Sequence, residues 1–233
     1  MVVDASRGEP RVSRPRPVVA YDFDHMHPRL ASLPPELCSL LPAALHGLCD
    51  QRRIARGERL FEVGHRPSWM HYVGEGEVVL ERVSDDGELV VLQRMRHGFV
   101  GEASLQSDRY HCDAVVVADA VVTLVPRQAL LDALKSEVNF ALRWIGMLHQ
   151  ELRRQRQHCE RLSLNTVEAR LLHLVRSEGG PSGLPTGSGL KTVAREIGVS
   201  HEALYRCVAA LEKRKLVIRT DGRLCLRVSV GAA

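Results

Sequence analysis

Between Glu137 and Leu162 the chain reads EVNFALRWIGMLHQELRRQRQHCERL, with apolar residues recurring at alternating steps of three and four. Val138, Ala141, Ile145, Leu148, Leu152, Cys159 and Leu162 fall on this stripe, and Gln155 is its one polar insertion. A narrow stripe of this period fits the seam between two helices better than the broad inner face of a helix lying on its own core. The charged flanks, ELRRQRQHCER, suit the side left in water. The spacing therefore predicts a dimerisation helix over residues 136–163, and everything else in the chain has to be arranged around it.

The pattern upstream is different. Pro34–Asp50, PPELCSLLPAALHGLCD, reads as short helix interrupted at Pro42. From Arg52 to Leu105, short apolar and β-branched runs are punctuated by glycines. The turn signals are Arg56-Gly57, Val63-Gly64, Gly74-Glu75-Gly76 and Asp85-Asp86-Gly87, the last between EVVLERV and ELVVLQRM. DAVVVADAVVTLV adds further strand with an Ala-Asp turn at Ala118-Asp119. Many short strands at close spacing predict an antiparallel β-roll of the double-stranded β-helix or jelly-roll type. At Pro126 the pattern turns helical, with one helix over PRQALLDALK before the long one. Downstream, Asn165 followed by Glu168 resembles a capping box opening the next helix.

The C-terminal end carries the most informative break. A helix over about 190–197 turns Val193, Ala194 and Ile197 inward and is stopped at Gly198, which tolerates the left-handed conformation. Val199 plugs inward, and Ser200 can cap a second helix. That helix offers Leu204, Cys207, Val208 and Leu211 to a core, and His201, Glu202, Tyr205, Arg206 and Ala209 to solvent. This is the helix-turn-helix pattern, whose second helix presents its first turns to base edges in a major groove. LVIRTDGRLCLRV then predicts a hairpin turning at Asp221-Gly222, the wing of a winged helix, with Arg219, Arg223 and Arg227 available to phosphates. The fold class is thus α+β: a β-roll, a long helix and a winged helix-turn-helix.

Charge supports that reading. The 233-residue chain has a net charge of +4, yet Leu190–Ala233 holds nine Lys and Arg against four Asp and Glu, a net of +5. A basic end on a near-neutral body is suited to a polyanion. Arg206 has the geometry for a paired contact to guanine, and Glu202 can accept from a cytosine amino group. Ser200 can donate to a phosphate at the helix N-terminus. His201, at the tip, suits a base or a phosphate.

Other functions find little support. No apolar run approaches the ~20 residues of a membrane helix, and the N-terminus lacks a signal-peptide core, so a cytoplasmic protein is expected. Cys38, Cys49, Cys112, Cys159, Cys207 and Cys225 are scattered, with no C-x-x-C spacing for zinc or redox chemistry. Residues 1–32, rich in Arg and Pro, read as a disordered arm; Asp22, Asp24, His25 and His27 crowd together there, but a solvated cluster is expected rather than a metal site. Nucleotide-binding, serine-hydrolase and zinc-peptidase fingerprints do not occur, so no enzyme is expected.

In their order, the Gly-punctuated YVGEGEVVL, the turn FVGEASL, the exit VPRQAL, the long helix and GVSHEALYR resemble the Crp/Fnr family of bacterial transcription regulators. The resemblance runs from about Leu33 to Val228. It implies a homodimer with a cyclic-nucleotide-binding-like sensor roll (33–135), the dimerisation helix (136–163) and a DNA-binding domain (164–233). It implies duplex DNA and RNA polymerase as partners. Ser200, Glu202 and Arg206 match the family's DNA-reading positions, whereas His201 stands where cyclic-AMP-responsive members carry an Arg.

The resemblance also speaks to the effector. Gly101 and Glu102 remain where cyclic-AMP binders meet the ribose. Their phosphate-binding Arg-Ser or Arg-Thr pair aligns with Tyr110-His111, and Arg109 lies one position early, facing the other side of the sheet. A buried phosphate would lack its cation, so cyclic AMP is not expected. Cys38 and Cys49 do not supply the cysteine set of an iron–sulfur sensor. His71, His111 and Cys112 are candidate haem ligands near the pocket, and Cys112 and Cys159 candidate oxidant sensors. The alternatives are a haem- or redox-sensing member of the family, or a cyclic-nucleotide-binding module whose C-terminal domain contacts protein.

Overall fold

The computed structural model describes residues 32–186 and 189–227. The arm expected over residues 1–32, with Asp22, Asp24, His25 and His27, lies outside them apart from Ser32.

The chain opens with two short helices, α1 (Pro35–Leu40) and α2 (Ala43–His46), parted at Pro42 as its missing N–H and fixed φ require. One antiparallel sheet follows, built from β1 (Asp50–Ile54), β2 (Arg59–Phe61), β3 (Trp69–Val83), β4 (Leu89–Met95), β5 (Gly98–Val100) and β6 (Asp113–Pro126). Its order is β1-β6-β3-β4, with β2 on β6 and β5 on β3. The expected turns at Gly57, Gly64 and Asp85–Gly87 separate strands, whereas two others do not form. Gly74-Glu75-Gly76 lies inside β3, and Ala118-Asp119 lies inside β6. The two segments face each other, and the register slips between Val73 and Val78 instead of the chain reversing. Gly76, at φ 86°, is the residue that allows this, because a side chain there would run into the Asp119 carbonyl and Ala120.

Period-two alternation divides the sheet's side chains between two apolar clusters. Inside the roll sit Leu60, Phe61, Val73, Val78, Tyr110, Val122 and Leu124. On the outer face Met70, Tyr72, Phe99 and Val125 pack against helices. Those helices are α1, α2, α3 (Arg127–Ser136) and the first turns of α4 (Val138–Ser163). α4 is the long helix foreseen, 26 residues without a break. Phe140 and Trp144 anchor it: both are buried, and the Trp144 ring meets Phe99 edge-on at 5.0 Å. The opposite side of α4 leaves Val138, Leu142, Ile145, Leu148, Leu152 and Leu162 exposed.

Three non-helical residues, Leu164–Thr166, lead into α5 (Val167–Glu178). Thr166 caps α5, its hydroxyl accepting from the Ala169 N–H at 3.0 Å, so the cap falls one residue after the Asn165 expected. β7 (Leu184–Pro185), α6 (Leu190–Glu196), α7 (His201–Lys213), β8 (Val217–Thr220) and β9 (Arg223–Leu226) complete the chain. They enclose a third cluster around Leu171, Leu174, Val193, Ile197, Leu204, Val208 and Leu211. The α+β architecture expected is the one observed. Among the described residues no helix is long and apolar enough to cross a membrane.

Trp144 joins α4 to the roll through ring contacts at a fully enclosed position, so Trp144→Ala should lower stability by about 3–5 kcal/mol. Chemical denaturation followed by the remaining tryptophan, Trp69, measures it.

Candidate nucleic-acid interface and sensor pocket

The helix-turn-helix is made by α6 and α7. At the end of α6 the Gly198 N–H donates to Arg195 O (3.1 Å) and the Val199 N–H to Ala194 O (3.0 Å). Gly198 takes φ 63°, the left-handed stop that glycine adopts without steric cost. Ser200 then accepts from the Ala203 N–H at 3.2 Å and opens α7. A residue not foreseen locks this turn. Arg170 on α5 donates from Nη1 to Ile197 O (3.0 Å) and Gly198 O (3.3 Å), and from Nε to Leu164 O (2.7 Å). It thus satisfies carbonyls that the end of a helix leaves open. Its partners on the turn lie 27 and 28 residues along the chain, so no local pattern could have marked it.

α7 buries Leu204, Val208 and Leu211 and leaves Cys207 half-buried. Glu202, Tyr205, Arg206 and Ala209 are exposed, and His201 is partly so. The His201 and Tyr205 rings meet edge-on with centroids 4.3 Å apart. Hydrogen bonds from its own backbone N–H and from the Ser200 side chain hold the Glu202 carboxyl below its ordinary range. The outer face of α7 is therefore a short, pre-shaped array: an acceptor at Glu202, two rings, and a long donor at Arg206. Lys191 and Arg195 on α6 are exposed beside it.

The wing forms as β8 and β9 around Asp221 (φ 49°) and Gly222 (φ 68°), the two left-handed residues of a tight hairpin turn. Its arginines are less free than their number suggests. Arg219 donates to both carboxylate oxygens of Glu212, from Nε at 2.8 Å and Nη2 at 2.7 Å. That fork lowers the Glu212 pKa and raises that of Arg219. Arg223 donates to Gly183 O at 2.9 Å and Ser182 Oγ at 3.3 Å. Each guanidinium carries five N–H groups, so both retain donors for a phosphate, but in fixed positions. Arg227 is exposed just beyond β9.

Of the expected sensor positions, Gly101, Tyr110 and Cys112 are buried in the roll and Glu102 is partly so. Gly101, at φ 81°, leads into a single 3-10 turn, Glu102–Ser104. Above it the Phe61 and Tyr110 rings lie stacked, 3.8 Å between centroids and 9° from parallel. A Cβ on Gly101 would meet Phe61 at 3.0 Å, so this pair presses directly on the turn. The Tyr110 hydroxyl is fixed by donating to Trp69 O at 2.9 Å. Burial pushes the Glu102 carboxyl up to about 7. Arg109 points away and donates to Gly64 O at 2.7 Å, and it is exposed.

The remaining sensor candidates sit in unlike surroundings. His71 is buried against Phe61, and that burial pushes its imidazole down to about 3. His111 is exposed, its Nδ1 3.1 Å from Ser104 Oγ. Cys112 is buried and its thiol pushed up to about 11, mainly by that burial, which works against the thiolate an oxidant sensor needs. Among the described residues no group of three or more His, Cys, Asp or Glu is placed to hold a metal ion. Cys159 is exposed on α4.

Comparison with known proteins agrees with this geometry. Residues 51–137 match the family model of the cyclic nucleotide-binding domain. A solved transcriptional regulator of the CRP family from Thermus thermophilus is 21% identical, over 75% of this chain and 91% of its own, with a TM-score of 0.61. FixK2 from Bradyrhizobium japonicum is 20% identical over 77% and 92%, with a TM-score of 0.65. The c-di-GMP responsive global regulator CLP of Xanthomonas campestris is 22% identical over 78% and 95%, with a TM-score of 0.57. No curated protein matches the sequence significantly. The chain therefore contains a cyclic nucleotide-binding domain fold followed by the helical and winged elements of CRP/FNR-type regulators, and shares their overall fold.

The Arg170 lock generates a prediction. Arg170→Met removes a charged donor from three carbonyls, a loss of about 1.5–3 kcal/mol. Amide exchange over residues 190–213 should accelerate accordingly, while exchange in β3 and β6 stays as it is.

Proposed function

We propose that the chain is a sequence-specific, DNA-binding transcription regulator of the Crp/Fnr type, acting in the cytoplasm as a homodimer. The observation that carries this reading is the outer face of α7. It exposes Glu202, Tyr205 and Arg206 on a helix-turn-helix whose turn is locked from behind by Arg170. In this reading Ser200 and His201 meet the backbone or a base edge at the helix tip. Glu202 and Arg206 read bases, and Arg219 and Arg223 steady the wing on phosphates. RNA polymerase is the partner that such a regulator recruits or obstructs.

The dimer reading rests on α4. Val138, Ile145, Leu148 and Leu152 are exposed although they are the large apolar residues of the seam, and Cys159 and Leu162 continue the same line. Ala141 and Gln155, half-buried, complete it. A second copy of α4 covers this stripe by the knobs-into-holes packing that its spacing favours. Two recognition helices then face adjacent grooves of one duplex. The working division is a sensor roll over 33–135, a dimerisation helix over 136–163 and a DNA-binding domain over 164–233.

A cyclic nucleotide does not fit the roll as it stands. Phe61 and Tyr110 occupy the space over Gly101, and Arg109 faces outward. Arg109 would not neutralise a phosphate buried there, and Arg127, which acts on Tyr110, is already committed to Leu105 O and Ser107 O, so the desolvation would go largely uncompensated. The position of Glu102 alone does not restore the site.

Two measurements test the proposal. A duplex enriched by the protein from a random pool should bind Arg206→Ala about 5- to 150-fold more weakly, the range of about 1–3 kcal/mol for a bidentate base contact. Re-selection with that variant should lose preference at one base pair in each half-site. Unchanged preference would remove Arg206 from the reading set. Titration calorimetry with cyclic AMP should give no heat of binding, and Phe61→Ala, which opens the pocket without adding a cation, should not create one.

A further inference from the structure

The roll and the helix-turn-helix do not share an apolar core. Among the described residues, the two roll clusters draw on residues 33–147 and the third on 167–226, with none in common. Among the described residues a buried set of charges joins them, besides the chain passing through Leu164–Thr166, the Glu160–His173 contact between α4 and α5, and Leu162 of α4 beside Gly198. Arg94 on β4 donates from Nη1 to Glu77 on β3 at 2.6 Å. Its Nε lies 2.8 Å from the Glu196 carboxylate at the end of α6, a charge contact not aligned as a hydrogen bond. Arg161, near the end of α4, reaches the other Glu196 oxygen at 3.4 Å and also pairs with Glu178 of α5. Arg96 donates to Glu77 at 3.1 Å and reaches Pro185 O at 3.4 Å. The side chains of Arg94 and Arg161 are each 1% exposed and that of Glu196 5%.

Three guanidiniums and three carboxylates thus close on one another, although burial pushes the Glu196 carboxyl up to about 7 against the pull of Arg94 and Arg161. A cavity of about 400 Å³ opens beside them, lined in part by Arg94, Glu151, His158 and Glu196. The junction is therefore ionic and loosely filled. This combination has a definite energetic character. Paired charges taken out of water gain little net stability, because desolvation offsets their attraction. Yet they tolerate only one geometry, because a misplaced pair leaves a buried charge alone. Such a contact fixes an orientation without gluing the two bodies together.

We propose that the Arg94–Glu196–Arg161 junction is an intramolecular docking clamp that holds the helix-turn-helix in one orientation against its own roll, and that this docked form is the one that engages two half-sites of DNA together. The second clause rests on the DNA-reading role proposed above; the first does not. α4 places the roll, and β4 places α6 through Arg94. The recognition helix on the far side of α6 then keeps its outer face in water, ready for a groove. Preset orientation spares the ordering cost that a loosely tethered domain would meet on binding a two-half-site duplex. A shift of β4 by an ångström or two would break the Arg94–Glu196 contact and release the domain, which gives the roll a route to the DNA end.

Arg94→Met is the discriminating variant. It cuts the link from roll to α6 while leaving Glu77 with Arg96 and Glu196 with Arg161, so neither carboxylate is stranded. On the full-length protein without DNA, amide exchange over 190–196 should rise at least about tenfold. The radius of gyration from small-angle scattering should increase, with exchange in β3 and β6 unchanged as the check on folding. With DNA, affinity for the enriched two-half-site duplex should fall at least about tenfold, while affinity for the same duplex cut to one half-site should not change. Unchanged exchange and scattering overturn the clamp. Altered exchange with equal or tighter two-half-site binding overturns its link to DNA. If the wild-type protein enriches no duplex at all, the DNA-reading role falls, and the exchange and scattering result still decides the clamp.

Discussion

Phe140 and Trp144, sealed against the roll, and Arg161, sealed among the carboxylates of the C-terminal domain, hold opposite ends of one 26-residue helix. The anchors differ in kind. At the N-terminal end, large aromatic surfaces leave water and the attachment is strong and non-directional. At the C-terminal end, a guanidinium meets carboxylates, and the attachment is exact in direction but modest in net energy. A rigid spar with one adhesive end and one indexed end keeps two separate cores in a defined relation. The remaining elements, from the sheet's outer face to the lock on the recognition turn, depend on that relation being kept.

The sequence was most legible where structure is local. The long helix α4 with its apolar stripe, the stop at Gly198 and the cap at Ser200 are decided by residues within one or two turns of each other, and they stand where the spacing put them. The strand breaks were less legible. Gly74–Gly76 and Ala118-Asp119 each carry turn chemistry, and each reads as a reversal on its own. In the sheet they lie opposite one another, and the glycines absorb a slip in register instead. A bulge and a turn use the same residues, and only the neighbouring strand decides between them. At Asn165 and Thr166 two capping residues stand side by side, and the helix begins from the second.

The candidate DNA face divides in the same way. The exposure of Glu202, Tyr205 and Arg206 follows from helical periodicity once Leu204, Val208 and Leu211 are buried. The constraint on the wing does not. Basic residues there look like free phosphate ligands, until the chain folds Glu212 onto Arg219 and Ser182 and Gly183 onto Arg223. Arg170, Arg94 and Glu196 gave no local signal either, because every partner that matters to them belongs to another element. Around the candidate pocket, the placing of Arg109 on Gly64 O and the Phe61–Tyr110 stack over Gly101 gave no local signal in the sequence.

The uncovered stripe on α4 has a consequence for how such a protein responds to its own abundance. If two chains must meet along Val138, Ile145, Leu148 and Leu152 before two grooves are engaged, occupancy of a target at low copy number grows with the square of chain concentration. Halving synthesis would then cut binding to about a quarter in that regime. Dosage becomes a steep input in its own right, available even to a roll whose interior is already filled by its own aromatic rings.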